Sequence, residues 1–277
     1  MTDNLPPPLG KAFRARPVDA DKYSVGTVAV VGGSVRYPNA PVMAGLGARA
    51  AGAGLVQLVV PDASRVCAGA LVPEATFAEL GPCCDFPKAD VVVAGMGLGP
   101  GAEAVVTRLF ESRHPRLVLD ADALSAIAAM RGRGGLPAAG GREVVLTPHE
   151  GEAARLLGCG RAEVSADRLS AAKSVAAAYG ATVVLKGPRT VAVSADGARV
   201  YVNDTGNPFM ALGGMGDLLA GVLGARWAYL KGDPFVAAAS AAWLHGAASD
   251  RVVAAGRDPS IAATAAEIGA MRVSLDR

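Results

Sequence analysis

The stretch NDTGNPFMALGGMGDLLAGVLGA, Asn203–Ala225, crowds six glycines, two aspartates and a Thr-Gly pair against a long apolar run. Glycine loses more backbone entropy on folding than other residues, so such a cluster marks a sharp turn or a close approach of backbone to something else. The pattern predicts a helix from about Leu212 to Leu230, with Gly213, Gly214 and Gly216 just before or inside its first turn and Asp217 at that turn. Free N–H groups and the positive end of the helix dipole make such a start an anion site. A carboxylate there repels the anion. Asp217 is therefore either a simple cap or the group that takes a proton from a hydroxyl as it attacks bound phosphate.

Upstream of this stretch, β-branched runs alternate with Ala-rich segments. TVAVVGG from Thr27, LVQLVVP from Leu55, DVVVAGMG from Asp90, RLVLDADAL from Arg116, EVVLTPHEGE from Glu143 and TVVLKG from Thr182 each predict a strand. Most are continuously apolar, as strands buried on both faces must be. APVMAGLGARAAGAG, GEAARLLG and SADRLSAAKSVAAAYG supply helical segments between them. The alternation predicts an α/β fold with a mainly parallel sheet covered on both sides. After Lys186 the rhythm changes to a hairpin turning at Asp196-Gly197. Helices then run from about 212 to 230 and from Pro234 to about Ala254, followed by a final amphipathic segment. Without repeat or linker, 1–277 is expected to be one domain with a short Pro-rich lead-in over about 1–20, and 131–141 a surface loop.

The 277 residues carry 27 basic and 25 acidic side chains, with no basic block, so a nucleic-acid footprint is not expected. The first twenty residues contain no secretory core, and no later run reaches the roughly 20 uninterrupted apolar residues of a membrane span. Cys67, Cys83, Cys84 and Cys159 have no CxxC spacing and are expected to be small thiols in a reducing cytosol. The chain reads as soluble and cytoplasmic.

Ligands of open parallel sheets bind beyond the carboxyl ends of the strands. Five such ends carry glycine or polar clusters: GGS, GMGLGPG, DAD, TPHEGE and KGPRT. They point to one shared cleft, against the alternative of ordinary polar loops. GMGLGPG is not a dinucleotide fingerprint, because Pro100 stands where the third glycine is needed; a backbone-lined wall for a bulky ligand fits better. In TPHEGE, Thr147 and Glu150 have the look of a capping box.

Together NDTGNPxMAxGGxGD (from Asn203), GTVAVVGGS, YPNAPVMA, AGAGLV, GMGLG, LDADAL, TPHEGE and KGPRT cover about Lys11–Ala270. The set resembles the ribokinase-like superfamily and, more closely, its ADP-dependent NAD(P)H-hydrate dehydratases. The resemblance implies a three-layer α/β/α sandwich and a hydro-lyase for metabolite repair. Such an enzyme returns hydrated NADH or NADPH to the native cofactor while ADP, or ATP in some members, is consumed with release of phosphate. It implies Asp217 as catalytic base and the backbone of Gly213, Gly214 and Gly216 as the hole for the transferring phosphoryl group. Ala40, Gly99, His149 and Asp217 would contact the hydrate. Lys186, Gly187, Pro188, Arg189, Thr190 and Gly216 would hold AMP or ADP. Mg²⁺ is implied, with Glu152 one candidate ligand, as are a homotetramer and functional pairing with a separate epimerase. Asn39 and Ser125 depart from the family pattern, in the hydrate pocket. From the residues alone, Lys186 also reads as a surface charge at a strand end and His149 as a hydrogen-bonded loop histidine. Two other readings stand beside the dehydratase: a superfamily kinase of thiazole or hydroxymethylpyrimidine alcohols, and a non-catalytic nucleotide-binding protein.

Overall fold

The computed structural model describes residues 9–10, 12–81, 89–135 and 140–276. Among the described residues nine strands form one sheet: β1 (Thr27–Val31), β2 (Leu55–Val60), β3 (Thr76–Glu79), β4 (Val91–Ala94), β5 (Arg116–Leu119), β6 (Glu143–Leu146), β7 (Thr182–Leu185), β8 (Val191–Val193) and β9 (Val200–Val202). Their spatial order is β3-β2-β1-β4-β5-β6-β7-β8-β9. All pairings from β3 through β7 are parallel, and the β8–β9 hairpin closes one edge antiparallel. Gly197 turns the hairpin at φ +71°, and the Asp196 carboxylate accepts the Ala198 N–H at 3.1 Å.

The α-helices of the described residues cover the sheet: α1 (Ala40–Ala50), α2 (Asp62–Leu71), α3 (Ala102–Glu111), α4 (Asp122–Gly132), α5 (Glu150–Leu157), α6 (Arg161–Ala166), α7 (Arg168–Tyr179), α8 (Met215–Leu230), α9 (Pro234–Ala254) and α10 (Ile261–Leu275). Successive strand residues point to opposite faces, and this divides the interior into two cores. Val28, Val30, Leu58, Val91 and Val93 meet α1, α8, α9 and α10. Ala29, Val31, Val59, Val92 and Ala94 meet α3, α4, α5 and α7. The three-layer α/β/α sandwich expected from the sequence is the observed fold.

Three expectations need correction. The edge strand β3, TFAE, was not among the expected strands; it is short and largely exposed, so it has no apolar run to announce it. The segment 165–180, read as one helical stretch, breaks at Asp167. That residue ends α6 and caps α7, its carboxylate accepting the Ser170 N–H at 2.9 Å. Helix α8 starts at Met215, three residues later than the apolar pattern suggested, because Gly214 takes φ +96° at its cap.

Part of the lead-in is built into the core. Phe13 meets Trp243 edge-on at 5.6 Å, and the buried Arg226 donates to the Ala12 carbonyl and pairs with Asp276 at 3.3 Å. Residues 1–8, Cys83, Cys84 and part of the 131–141 loop lie outside the described residues. Among the described residues no helix is long and apolar enough to cross a membrane.

Candidate active site

The carboxyl ends of β5, β6 and β7 present three charged side chains to one point. Chain continuing from β6 bridges that leaving β7, His149 opposite Lys186, with the Lys186 N–H donating to the Pro148 carbonyl at 2.8 Å. From there the Lys186 ammonium donates to Asp120 Oδ1 at 2.6 Å and lies 3.9 Å from Glu152 Oε2. Asp120 directly follows β5 and is 1% exposed. The backbone turns through Ala121 at φ +49° between Asp120 and Asp122, an uncommon conformation for a side chain with a Cβ. Arg168 holds the β7 end from beneath, donating to the Leu185 and Lys186 carbonyls at 3.1 and 3.2 Å and to Glu150 at 2.6 Å. Lys186 is thus no surface charge at a strand end. Burial opposes its ionisation, but Asp120, Glu152 and Asp217 outweigh that and hold its pKa above the usual lysine range.

His149 caps α5. Its Nδ1 accepts from the Gly151 and Glu152 N–H groups at 3.0 and 3.2 Å, and Glu152 Oε2 accepts the His149 N–H at 2.8 Å. The capping box is therefore His149–Glu152, not Thr147–Glu150. Thr147 donates to the Leu119 carbonyl, and Glu150 serves Arg168, Arg161 and Ser165. Desolvation first, then the Lys186 charge, push the His149 pKa down, consistent with a ring nitrogen that accepts.

Facing these strand ends is the start of α8. Among the described residues the backbone N–H groups of Gly213, Gly214, Gly216 and Asp217 have no acceptor. Unpaired amides at a helix start are an anion site. The Lys186 ammonium lies against Gly216, where an added Cβ would stand 3.2 Å from Nζ and 3.9 Å from Asp120 Oδ2. Asp217, in the first turn, has its pKa raised from 3.8 to about 7: by desolvation first, then by the like charge of Asp120, with Lys186 opposing. Desolvation likewise raises Glu152.

A cavity of about 710 Å³ opens beside this cluster. Its lining includes His149, Lys186, Gly187, Pro188, Arg189, Thr190 and Gly216, so the expected nucleotide-contacting residues converge on one space. Ala40, Gly99, Gly213, Gly214 and Asp217 are not part of that lining. Gly213, Gly214 and Asp217 make up the α8 start itself. The Gly99 N–H donates to Asp122 at 2.8 Å, and the Asp122 charge acts on Asp217. Met43 of α1 sits against Gly214, and the Gly97 backbone lies against Ala40.

The NDTGNP motif has a structural task. Asn203, buried, donates to the Ala242 and Thr205 carbonyls at 3.2 and 3.1 Å. Thr205 donates to the Trp243 carbonyl at 3.1 Å, and Asp250 accepts from the Gly206 N–H and the Asn207 amide at 2.8 Å each. The loop is stapled along α9 and forms one wall of the cavity. Sequence reasoning gave no role to Asp120 or Arg168. Asp120 alone had a signal, its place in the DAD cluster at a strand end.

A parallel-sheet sandwich whose strand ends deliver a lysine and carboxylates to a glycine-rich helix start defines a ribokinase-like α/β protein. More narrowly, the chain belongs to the NAD(P)H-hydrate dehydratase family, whose model (Carb_kinase) matches residues 28–269. It is 42% identical over 247 residues to the ADP-dependent (S)-NAD(P)H-hydrate dehydratase of Neisseria meningitidis, covering 86% of this chain and 81% of that one. It is also 42% identical over 251 residues to the bifunctional NAD(P)H-hydrate repair enzyme Nnr of Gloeobacter violaceus, covering 87% of this chain and 48% of that one. The chain thus spans about half the length of such bifunctional relatives. The ADP/ATP-dependent NAD(P)H-hydrate dehydratase of Bacillus subtilis, co-crystallised with ATP and Mg²⁺, superposes with a TM-score of 0.83 at 28% identity, over 98% of this chain and 97% of that one.

Proposed function

We propose that this chain is an ADP-dependent (S)-NAD(P)H-hydrate dehydratase. It removes water from hydrated NADH and NADPH at the expense of ADP, giving AMP and phosphate. The observation that carries the reading is the α8 start: unpaired amides of Gly213, Gly214 and Gly216, the Lys186 ammonium against Gly216, and Asp217 in the same turn. Hydroxide is a poor leaving group and phosphate a good one. Asp217 takes the proton of the ring hydroxyl as its oxygen bonds to the β-phosphorus of ADP and the bond from that phosphorus to the AMP oxygen breaks. Phosphate then leaves with the ring C–O electron pair while the neighbouring carbon loses a proton, which restores the ring double bond. The amides stabilise the phosphoryl oxygens as their charge redistributes, a preorganised arrangement worth about 3–4 kcal/mol per donor in comparable holes. Asp217, near pKa 7, suits a base working at neutral pH.

In this reading residues 186–190 and Gly216 hold the nucleotide, while Ala40, Gly99, His149 and Asp217 face the hydrate. Mg²⁺ enters with the nucleotide. Among the described residues no group of three or more His, Cys, Asp or Glu could hold a metal ion. Glu152 Oε2 already accepts the His149 N–H. This donor set does not fit a resident metal centre; it leaves the ion to the phosphates. A homotetramer, a cytoplasmic setting and an epimerase of the same hydrates as functional companion belong to the same proposal.

The test is direct. Acid-prepared NADH hydrate with ADP and Mg²⁺ should regain dihydronicotinamide absorbance when the protein is added, with ATP run in parallel. No recovery with either nucleotide, together with phosphorylation of a thiazole alcohol, would transfer the protein to the kinases.

A further inference from the structure

Parallel strands have two ends, and the site above uses only the carboxyl one. At the amino ends of β1, β2 and β3 lies a separate cavity of about 340 Å³. Val25, just ahead of β1, and Val56, at the start of β2, give it an apolar wall. Its charged lining is Arg16, Lys22, Arg49 and Glu74. None of these residues enters the chemistry above.

The guanidinium groups are held in place. Arg16 donates to the Gly52 carbonyl at 2.9 Å, and its Cζ lies 5.7 Å from the centre of the Tyr229 ring. Arg272 of α10 closes in behind it: Arg16 Nη2 and Arg272 Nε both lie within 2.9 Å of the point where a Cβ on Gly52 would stand. Only glycine leaves room for the two to meet. Arg49, in the last turn of α1, is positioned by Glu74 at 3.2 Å.

The carboxylates nearby do not balance these cations. Glu74 is taken by Arg49, and Asp276 is shared, 3.6 Å from Arg272 and 3.3 Å from the buried Arg226. Asp21, next to Lys22 in sequence, turns its carboxylate to the amides of Tyr23 and Ser24. Among the described residues Arg16 and Lys22 form no ion pair. Like charges held together away from bulk water repel more strongly than in it. Burial first, then the charge of Arg16, push the Arg272 pKa below the usual arginine range; Asp276 opposes this and Arg49 adds to it.

An anion from outside would relieve that repulsion. Guanidinium forks match pairs of phosphate oxygens, and a lining with three cations to one carboxylate suits a dianion. We propose that this cavity binds a phosphate dianion, free or as the monoester of a small metabolite, at the opposite end of the strands from the active site. Arg16 and Arg49 take its oxygens, Arg272 adds positive potential behind them, and the valines supply the wall for the organic body of an ester. The proposal does not depend on the dehydratase reading.

Inorganic phosphate and glycerol 3-phosphate are titrated calorimetrically into the unaltered protein, R16Q and R49Q, with sodium chloride at matched ionic strength as control. The unaltered protein should bind at least one of the two and gain thermal midpoint with it, because a ligand of the folded state stabilises that state. Loss of a charge-assisted hydrogen bond predicts roughly 10–100-fold weaker binding in each variant. Phosphate also has the active site to enter, so the event that counts is the one these variants weaken; their Mg-ADP affinity should not change. Arg49 is 47% exposed, so R49Q keeps the test open if R16Q does not fold. Tighter binding of the ester would support the site as one for a phosphorylated metabolite, and equal or weaker binding as one for the free ion. No binding in the unaltered protein, binding that both variants leave unchanged, or an equal effect of chloride would overturn the proposal.

Discussion

The Lys186 ammonium stands 2.6 Å from Asp120 Oδ1, and the two residues come from the ends of different parallel strands. That one contact converts a flexible side chain into a fixed charge against Gly216. Lys186 is 16% and Asp120 1% exposed at the side chain, so the pair is shielded from solvent.

Removing one partner of a buried pair leaves an uncompensated charge, at a cost of about 3–5 kcal/mol. Lys186→Met is therefore expected to lower unfolding free energy by roughly that much, as read by the denaturant midpoint, and to weaken ADP binding. It also leaves Asp120, Glu152 and Asp217 without their cation.

The pH dependence follows from Asp217. Its pKa of about 7 lies above the ordinary 3.8, so the protonated form is favoured and the carboxyl is inactive as a base below neutrality. The ratio kcat/KM should rise about tenfold per pH unit below pH 7 and level off above it. Asp120→Asn removes a like charge that raises this pKa, so the acid limb should move to lower pH. A limb that stays in place in this variant would separate the profile from Asp217.

The same shift has a stability counterpart. Between pH 3.8 and about 7 the folded state keeps a proton that the unfolded chain has lost, so stability falls as pH rises through that window. Asp217→Asn should remove this part of the slope in urea titrations run across the window. The variant should also retain ADP binding while losing about 10²–10⁴-fold in turnover; near-normal turnover would leave Asp217 as a first-turn charge alone, since the cap of α8 is Gly214.

Gly246 supports the cavity wall. A Cβ there would overlap Thr205, whose loop is stapled to α9. Gly246→Ala should cost about 1–3 kcal/mol through overpacking, visible as a lower thermal midpoint, and should weaken ADP binding as the loop is pushed outward.

The sheet was legible because its central strands are buried on both faces and read as unbroken apolar runs. Strand β3 was not, since an exposed four-residue edge carries no such run. The glycine-aspartate helix start and KGPRT stood out because glycine and polar clusters fall where a helix begins and a strand ends. Asp120 and Arg168 act through neighbours distant in sequence, and only the topology brings Asp120 to Lys186 or Arg168 to the end of β7. The capping box expected at Thr147–Glu150 lies at His149–Glu152, since Glu150 is drawn off by Arg168.

At two points helices α1 and α8 meet without a side chain between them: a Cβ at Gly221 would fall on the Ala44 carbonyl, and one at Gly47 on the Leu218 carbonyl. Two rods in main-chain contact cannot slide or tilt separately. Ala40 at the head of one and Asp217 at the head of the other are therefore mounted on a single stiff chassis, and whatever motion admits a ligand must be supplied by the loops around it.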